Sequence, residues 1–183
     1  MVKIAARAIG IRIDSFEPIV GESPLLLILG TMPSVASLKS GRYYDHERNH
    51  FWRLMHVVLE EPEYHSDYAE RVVMLKRRRI ALWDVLDSCV RSGSLDRDIR
   101  EERPNDIPKL VRDCPTIRAI CFNGSASEKM YRRYHAEKMK EYDISYLLLP
   151  SSSPRPRKFI RTFEDKLTRW MEIRCILNAS IFT

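Results

Sequence analysis

The sequence lacks the residue spacings that mark common metal sites. Its cysteines include no Cys-x-x-Cys pair, the arrangement seen in most structural zinc sites and many iron–sulfur sites. His46 and His50 are close in sequence, but two histidines alone are weak evidence for a metal, and hydrogen bonding within their own segment is the simpler interpretation. We therefore expect buried, reduced thiols, no metal and no cofactor. The cysteines are Cys89, Cys114, Cys121 and Cys175.

Motifs of common hydrolases and nucleotide-binding proteins are also missing, as are long apolar runs. There is no Ser-His-Asp arrangement, no His-Glu-x-x-His and no glycine-rich phosphate loop of the Walker type. No segment approaches the roughly 20 apolar residues of a membrane span. Lys3, Arg7 and Arg12 interrupt the N-terminal stretch, which therefore lacks the apolar region of a signal peptide. These absences indicate a cytoplasmic protein without a membrane partner.

The chain does contain enough apolar residues for a sizeable core. Of its 183 residues, 44% are apolar, and no repeat, low-complexity tract or linker divides them, so residues 1–183 are expected to form a single domain. The formal charge is +6, from 31 Lys and Arg against 25 Asp and Glu. This basic excess favours an acidic partner such as nucleic acid, although many soluble proteins have a similar isoelectric point.

Short apolar segments alternate with helical patterns, which predicts an α/β fold. The alternation favours a central, mostly parallel four-stranded sheet covered by helices on both faces, in three layers. Residues 9–13 alternate in polarity and could form an edge strand. Residues 88–108 are polar and are predicted as a loop, whose length suggests function or a short irregular helix. The predicted strands span residues 25–29, 80–86, 116–122 and 145–149. The predicted helices span residues 49–60, 64–79, 107–112, 125–140 and 158–176.

Polar signatures follow three of the predicted strands. Gly-Thr-Met-Pro-Ser comes after the first strand at 30–34, Phe-Asn-Gly closes the third at 122–124, and Pro-Ser-Ser-Ser-Pro ends the fourth at 150–154. Because the carboxyl ends of parallel strands meet at one edge of a sheet, we expect these segments to form one site. A basic cluster at 76–79 has two interpretations, stabilisation of a helix C-terminus or contact with phosphate.

Longer motifs in the sequence resemble those of one known family. They are GTMPSxxSLxxGRYYxHxRNxFW at 30–52, ALWDVLDSCVRSGSLDRDI at 81–99, ND at 105–106, FNG at 122–124 and LPSSSP at 149–154. In this order they resemble the hypoxanthine-DNA glycosylases, also called DNA-deoxyinosine glycosylases, of the uracil-DNA glycosylase superfamily. The resemblance extends from Phe16 to Trp170 and leaves residues 1–14 as an N-terminal extension.

The resemblance implies a uracil-DNA glycosylase-like fold and a monofunctional enzyme. Such an enzyme flips hypoxanthine out of damaged DNA and hydrolyses its N-glycosidic bond, leaving an abasic site. The partner would be damaged DNA, double- or single-stranded, and the protein a monomer, nucleoid-associated if the organism is prokaryotic. The alternatives are a glycosylase of the same superfamily that prefers uracil or xanthine, a non-catalytic DNA-binding relative, and an enzyme that acts on free nucleotides.

The resemblance also implies which residue holds the attacking water. In many relatives of the wider superfamily an Asp or Asn in the first-strand loop does so, but the matching residue here is Met32, whose thioether cannot orient water. The resemblance moves this role to Asn49, whose amide can hold a water by accepting one hydrogen bond. From the residues alone, Asn49 would be a helix N-cap. Asp84, at the end of the second strand, is interpreted as structural.

The base-binding residues are likewise implied by the resemblance. Tyr44 is expected to stack on the flipped base; Tyr43 is assigned to the same pocket but could equally belong to the core. Asn123 offers both a donor and an acceptor to the edge of hypoxanthine, with a turn residue as the alternative. The main-chain amides of Thr31 and Met32 are expected to hold the base oxygen as negative charge develops.

A serine-rich loop and the basic residues after it are expected to contact DNA. In relatives this loop grips phosphate and enters the duplex, and hydroxyl and main-chain N–H groups contact phosphate without reading sequence. Small residues often follow it in the family, whereas this chain has arginines and a lysine. We expect Arg155 to fill the gap left by the flipped base, with phosphate contact as the alternative. The expected DNA contacts are Ser151, Ser152, Ser153, Arg155, Arg157 and Lys158.

Overall fold

A computed structural model describes residues 10–155, 160 and 162–179. The strands, in chain order, are β1 (Ile11–Asp14), β2 (Leu26–Gly30), β3 (Ile80–Asp84), β4 (Leu86–Arg91), β5 (Arg100–Pro104), β6 (Ala119–Asn123) and β7 (Ser145–Leu149). The helices are α1 (Val35–Ser40), α2 (Phe51–Val58), α3 (Tyr68–Arg77), α4 (Ile107–Asp113), α5 (Ser125–Tyr134), α6 (Phe163–Trp170) and α7 (Glu172–Ala179), with a 3₁₀ turn at Asp96–Asp98.

The predicted parallel sheet is confirmed. Its four strands lie in the order β3-β2-β6-β7, and every neighbouring pair is parallel. Leu26 pairs with Ile80 on one side and with Ala119 on the other, so β2 is central. Every residue of β2 is buried, as expected for a leucine-rich strand with neighbours on both sides and layers on both faces.

Alternation along β2 supplies both layers of the core. Leu26 and Ile28 point to one face, where they pack with the apolar stripes of α2, α3 and α6. Leu27 and Leu29 point to the other face, where residues of α4 and α5 cover them. The chain therefore forms the predicted three layers, and the helices on both faces leave the carboxyl edge of the sheet open.

The prediction of a loop over residues 88–108 is wrong. This segment contains most of β4 and all of β5, which join β1 in a three-stranded antiparallel sheet of order β1-β4-β5. The 3₁₀ turn at Asp96–Asp98 is the short irregular helix expected there. The β5 sequence Arg-Glu-Glu-Arg-Pro lies at an exposed edge and has no apolar alternation, and the β4–β5 register shifts twice near Ser88. Both features remove the period of two by which a strand is predicted from sequence. The expected edge strand at 9–13 corresponds to β1.

The helices differ from the prediction in several respects. The loop after β2 contains the short helix α1, which Ser34 caps through its side chain. The basic helix expected to reach residue 140 ends at Tyr134, because His135 leaves the helical backbone region. The helix expected over 158–176 is two helices, α6 and α7, with Met171 between them.

The cysteines and the apolar helices can be placed. Cys89 and Cys121 are buried, Cys114 is half-buried, and Cys175 is exposed, so the expectation of buried thiols is wrong for Cys175. No helix in the described part of the chain combines the length and apolar character needed to cross a membrane. The described residues contain no group of three or more His, Cys, Asp or Glu side chains arranged to hold a metal ion.

Candidate active site at the carboxyl edge of the sheet

All four strands of the parallel sheet end at one edge, and two loops lie over it. The Gly30 loop (residues 30–34) follows β2, and the serine loop (residues 150–154) follows β7. Asn123 ends β6 between them. The three polar segments that the sequence analysis singled out therefore meet at this edge, and β3 adds a fourth polar group there, Asp84.

The Gly30 loop is held through its carbonyl groups. The Gly30 carbonyl accepts from the Val85 N–H (2.9 Å), and the Thr31 carbonyl accepts from the Leu86 N–H (3.2 Å). The Pro33 carbonyl accepts from the Arg91 guanidinium. In contrast, the N–H groups of Thr31 and Met32 donate to no protein acceptor in the part of the chain that the structure describes. The loop thus keeps two main-chain donors available at the end of β2.

Two polar side-chain atoms crowd Gly30. A Cβ at this position would lie 2.2 Å from Asp84 Oδ1 and 2.7 Å from the Tyr44 hydroxyl oxygen, and real Cβ contacts are never that short. Both oxygens therefore approach the Gly30 main chain, where no side chain separates them from the loop. This close approach brings the ends of β2 and β3 and the Tyr44 ring to one place.

Asp84 is buried in this place without a hydrogen-bonding partner for one of its oxygens. Asp84 is only 2% exposed, and its Oδ2 makes no hydrogen bond within the described residues. Burial raises the pKa of the carboxyl to about 7; the Arg91 charge opposes this rise and Asp96 adds to it. These features make Asp84 a candidate for a functional role beside the structural one expected from the sequence. The sequence signal is an Asp that ends an otherwise apolar strand, Ile-Ala-Leu-Trp-Asp.

The Tyr44 side chain also lies next to Gly30. Its ring stacks on Phe51, with centroids 4.0 Å apart and planes at 20°, and remains partly exposed. Its backbone has φ of 56°, an uncommon left-handed conformation for a tyrosine. The hydroxyl is buried and makes no well-formed hydrogen bond within the described residues, although the nearby Asn123 side chain acts to lower its pKa. Burial raises the pKa of Tyr44 well above its usual range, so the hydroxyl stays protonated.

Tyr43 lies in the core, so its assignment to the base pocket needs correction. Its side chain is 3% exposed, and its hydroxyl donates to the Phe16 carbonyl (3.2 Å). Its own carbonyl accepts from Trp52 Nε1 (2.9 Å), and its ring meets the Phe16 ring edge-on. These contacts engage Tyr43 within the core, behind the Tyr44 ring that lies 6.3 Å from its own, as the alternative interpretation allowed.

Asn49 lies two residues before α2 and partly fulfils the capping role expected from residue type alone. Its Oδ1 accepts from the Phe51 N–H (2.9 Å), and its own N–H donates to the His46 carbonyl (2.7 Å). An amide oxygen has two lone pairs, so one acceptor position remains for a water molecule. The next residue, His50, donates its N–H to the Ser152 carbonyl (3.0 Å), which places Asn49 beside the serine loop.

The Asn123 side chain is engaged with the serine loop. Its amide nitrogen donates to Ser152 Oγ (2.9 Å), and its amide oxygen accepts from the Ser152 N–H (2.7 Å). Ser152 is 1% exposed, so its hydroxyl is not available to a phosphate, and its assignment as a DNA contact needs correction. Ser151 and Ser153 remain half-buried in the loop. One Asn123 N–H is left to face Tyr44.

Lys166 supports the serine loop from beneath, and sequence reasoning missed it. Its ammonium group donates to the Ser153 carbonyl (2.5 Å) and lies 3.3 Å from His50 Nδ1, although the residue is only 3% exposed. Burial, followed by the charges of Lys166 and Arg53, lowers the pKa of His50 and favours its neutral form. The sequence signal was available: Lys166 takes a core-facing position in the apolar stripe of Phe163 and Trp170.

The remaining basic residues divide between the site and the opposite edge. Arg155 is exposed directly after the serine loop, whereas Arg157 and Lys158 lie outside the described residues. The cluster at 76–79 precedes β3 and so lies at the amino edge of the sheet. There Arg77 and Arg78 pair with Glu61 at 2.6 and 2.9 Å, which favours a structural role for the cluster over phosphate contact at the site.

Residues 18–174 match the profile of the Uracil DNA glycosylase superfamily. The chain belongs to this superfamily. It is similar to a Hypoxanthine DNA glycosylase of Methanosarcina barkeri (strain Fusaro), with 31% identity over 159 residues, covering 87% of this chain and 96% of the relative. A Hypoxanthine DNA glycosylase of Methanosarcina acetivorans is 33% identical over 151 residues, covering 82% and 92% of the two chains.

A solved structure supports the same membership. The solution NMR structure of a proposed uracil DNA glycosylase from Methanosarcina acetivorans superposes with a TM-score of 0.77 at 31% identity, covering 92% of this chain and 99% of the other. The uracil-DNA glycosylase-like fold expected from the sequence is therefore confirmed. Superfamily membership and the names of the relatives support a DNA glycosylase, with DNA as its substrate.

The site suits the chemistry of a DNA glycosylase in this superfamily. Breaking an N-glycosidic bond places negative charge on the departing base, and donors fixed in advance stabilise that charge best. The Gly30 loop offers two such donors, and the loop cannot easily relax because the β3–β4 segment holds its carbonyls. Asp84 and the Tyr44 hydroxyl supply further polar atoms that have no partner within the described residues.

Proposed function

We propose that this glycosylase removes hypoxanthine from deoxyinosine in DNA as a monofunctional enzyme, leaving an abasic site. The observation that carries the proposal is the meeting, at Gly30, of unused main-chain donors with the buried Asp84 carboxyl and the Tyr44 hydroxyl. The names of the two curated relatives favour hypoxanthine over the other deaminated bases.

In the proposed reaction the bond between the sugar C1′ and the base N9 breaks, and its electron pair leaves with the base. The N–H groups of Thr31 and Met32 stabilise the charge on the base. A water held by Asn49 bonds to C1′ through its oxygen, and its proton passes through solvent to the departing base. An amide is a very weak base, so the sugar cation must form before the water attacks.

The positions of Tyr44 and Asp84 next to Gly30 suggest how the base is bound. The flipped base stacks on the face of Tyr44 opposite Phe51, an interaction worth about 1–3 kcal/mol per base. Hypoxanthine carries an oxygen acceptor beside a ring N–H donor, and a protonated carboxyl carries one donor and one acceptor. Protonated Asp84 therefore complements this edge, and the remaining N–H of Asn123 can approach it. A carboxylic acid can also pair with adenine, so discrimination must come from the N–H donors of the Gly30 loop and Asn123, which suit the hypoxanthine oxygen and would face the adenine amino group.

DNA contact is proposed through Ser151, Ser153 and Arg155, which lie around the mouth of the site. Hydroxyl groups and an exposed guanidinium suit the phosphate backbone and carry no sequence information. Flipping costs a few kcal/mol of unstacking, and less where the base is already mispaired, so the lesion itself favours entry. We propose a monomer acting on double- or single-stranded DNA.

A cleavage assay on oligonucleotides that contain inosine, uracil or xanthine tests the proposal. Strands are treated with alkali after the reaction, because an abasic site then breaks and the product separates on a gel. We expect cleavage of the inosine strand in preference to the other two, and none without alkali. Asn49→Ala protein purified identically controls for contaminating glycosylases. Intact inosine strands at excess enzyme would overturn the proposal, and cleavage of uracil or xanthine instead would assign that base.

A further inference from the structure

Arg91 is a buried cation next to the site that has no role in the mechanism above. It ends β4, is 4% exposed, and makes no ion pair within the described residues. Its Nε also has no hydrogen-bond acceptor among them. Burying a guanidinium in this way is unfavourable unless nearby groups compensate it, so the position of Arg91 requires an explanation.

One part of the explanation is the contact with the Gly30 loop. The guanidinium donates to the Pro33 carbonyl, and the adjacent Val85 and Leu86 N–H groups take the Gly30 and Thr31 carbonyls. Three carbonyls of the loop, those of Gly30, Thr31 and Pro33, are thus held by the β3–β4 segment. This arrangement fixes the loop while its donors remain available to a ligand.

The second part is electrostatic. Arg91 is the cation whose charge acts on Asp84, and it favours the ionised carboxylate against the effect of burial. The other charged or titratable groups that face Asp84 are Asp96, from the turn after β4, and Tyr43 and Tyr44, from the segment before α2. Asp96 and burial both favour the protonated form, and among the described residues the Arg91 charge opposes them.

We propose that Arg91 is a positioning residue for catalysis, which fixes the donors of the Gly30 loop and places a positive charge behind the departing base. The inference rests on the proposed function of the Gly30 loop as the site of the developing anion. A fixed charge in a site that excludes water stabilises the transition state more than the ground state, because the base becomes anionic only as the bond breaks. Arg91 acts through the loop and does not touch the base.

Arg91→Gln separates charge from hydrogen bonding, because Gln keeps an N–H donor for Pro33 and loses the positive charge. Arg91→Lys keeps the charge and loses the forked donor geometry. Arg12→Gln is the matched control, since Arg12 lies on the neighbouring strand β1 of the same sheet but is exposed and paired with Glu101.

The measurement is single-turnover cleavage, on the best base from the oligonucleotide panel, from about pH 5 to pH 9. We expect Arg91→Gln to slow the bound reaction by about 100-fold with duplex affinity nearly unchanged. The fall in rate at high pH, assigned to loss of the Asp84 proton, should move to higher pH, because the cation that favours the carboxylate is gone. Arg91→Lys should lose less than about tenfold and keep the wild-type pH profile, and Arg12→Gln should match wild type.

Two results would overturn the positioning role. One is an Arg91→Gln rate within about threefold of the Arg12→Gln rate. The other is a large loss in both Arg91 variants with the pH profile of each unchanged, which would mean that charge is irrelevant. If Arg91→Gln does not fold, the Arg91→Lys pH profile and rate decide alone. Failure of wild type to cut inosine contradicts the proposed substrate instead, and leaves this comparison intact on whichever base is cut.

Discussion

The Gly30 loop and the serine loop lie at one edge of the sheet and are each held by a buried cation, yet they expose opposite kinds of group. Arg91 and the β3–β4 segment take the carbonyls of the Gly30 loop and leave its N–H donors. Asn123, His50 and Lys166 bond to the serine loop at Ser152 and Ser153. The hydroxyl of Ser153 and the exposed Arg155 remain at its surface.

This difference suits two different anions. Main-chain donors fixed in a buried loop stabilise charge that appears only during reaction, whereas hydroxyls at a surface suit a phosphate that is charged throughout. Changes at the Gly30 loop should therefore act on the rate of the bound complex, and changes at the serine loop on DNA affinity. Asn49 lies beside the serine loop, because the neighbouring His50 N–H donates to the Ser152 carbonyl.

The largest effect is expected for Asn49→Ala. Loss of the water-holding amide should slow single-turnover cleavage by about 100- to 10,000-fold and leave duplex affinity nearly unchanged. The cap on Phe51 is lost too, which should reduce the free energy of unfolding by about 1 kcal/mol. Asn178→Ala, at an exposed position of α7, is the matched control. A thermal unfolding scan separates the two effects, and full activity in Asn49→Ala would remove this residue from the mechanism.

Lys166→Met should instead weaken DNA binding. Without the ammonium group the Ser153 carbonyl and His50 lose their common partner, so the serine loop loses its fixed position. We expect duplex affinity to fall by about tenfold while the rate of the bound complex changes little. Lys129→Met removes the same charge from an exposed position on α5 and controls for net charge. A slower cleavage rate in the bound complex with unchanged duplex affinity would contradict the proposal that the serine loop acts on DNA affinity and the Gly30 loop on the rate.

Asp84→Asn should change the pH dependence more than the rate at neutral pH. In wild type the proton on Asp84 is lost as the pH rises through about 7, so cleavage should slow there. The amide introduced by Asp84→Asn keeps a donor at every pH, and the profile of this variant should be flat in this range. A wild-type profile that is equally flat would remove Asp84 from base binding.

The same substitution has a consequence for stability with a definite sign. The pKa of Asp84 is raised on folding to about 7, so between the unfolded and folded values the native state binds more protons, and stability falls as pH rises through this window. Asp84→Asn removes that fall and should stabilise the protein above pH 7 by a few kcal/mol at most, on the order expected from about 1.4 kcal/mol per pKa unit. Denaturant unfolding at acidic and alkaline pH measures the difference.

Much of the fold followed from the sequence because its central strands are fully buried. A run such as Leu-Leu-Ile-Leu in β2 has few alternatives to a covered strand, and four such runs between helices lead to one sheet. The antiparallel sheet was missed because β5 is polar and exposed and pairs with β4 through irregular registers. The β5 strand forms because it pairs with β4, since its own sequence has no alternation of apolar and polar residues. A single sequence does not reveal such strand pairing.

The site followed from the sequence only in outline. Strand ends that carry polar residues predicted the edge, but they did not reveal that both ends of the Asn123 amide bond to Ser152, which leaves one N–H for a ligand. Arg91 and Lys166 were missed because their roles depend on contacts with residues distant in sequence. Arg91 donates to the Pro33 carbonyl, and Lys166 donates to the Ser153 carbonyl. Charged side chains are expected at the surface. Arg91 and Lys166 are both buried, which makes them functional candidates.

The smallest effect, and the finest test of the serine loop, is expected for Arg155→Ala. If the exposed guanidinium fills the gap left by the flipped base, its loss should slow cleavage of base-paired inosine by about three- to tenfold and leave inosine in single strands nearly unaffected, because a single strand has no gap to fill. If Arg155 contacts phosphate alone, both substrates should weaken together and the salt dependence of binding should become shallower. Arg112→Ala, an exposed arginine on α4 at the opposite edge of the sheet, controls for the loss of one charge. Equal losses on the two substrates would therefore refute the gap-filling role and leave Arg155 as one more phosphate contact of the serine loop.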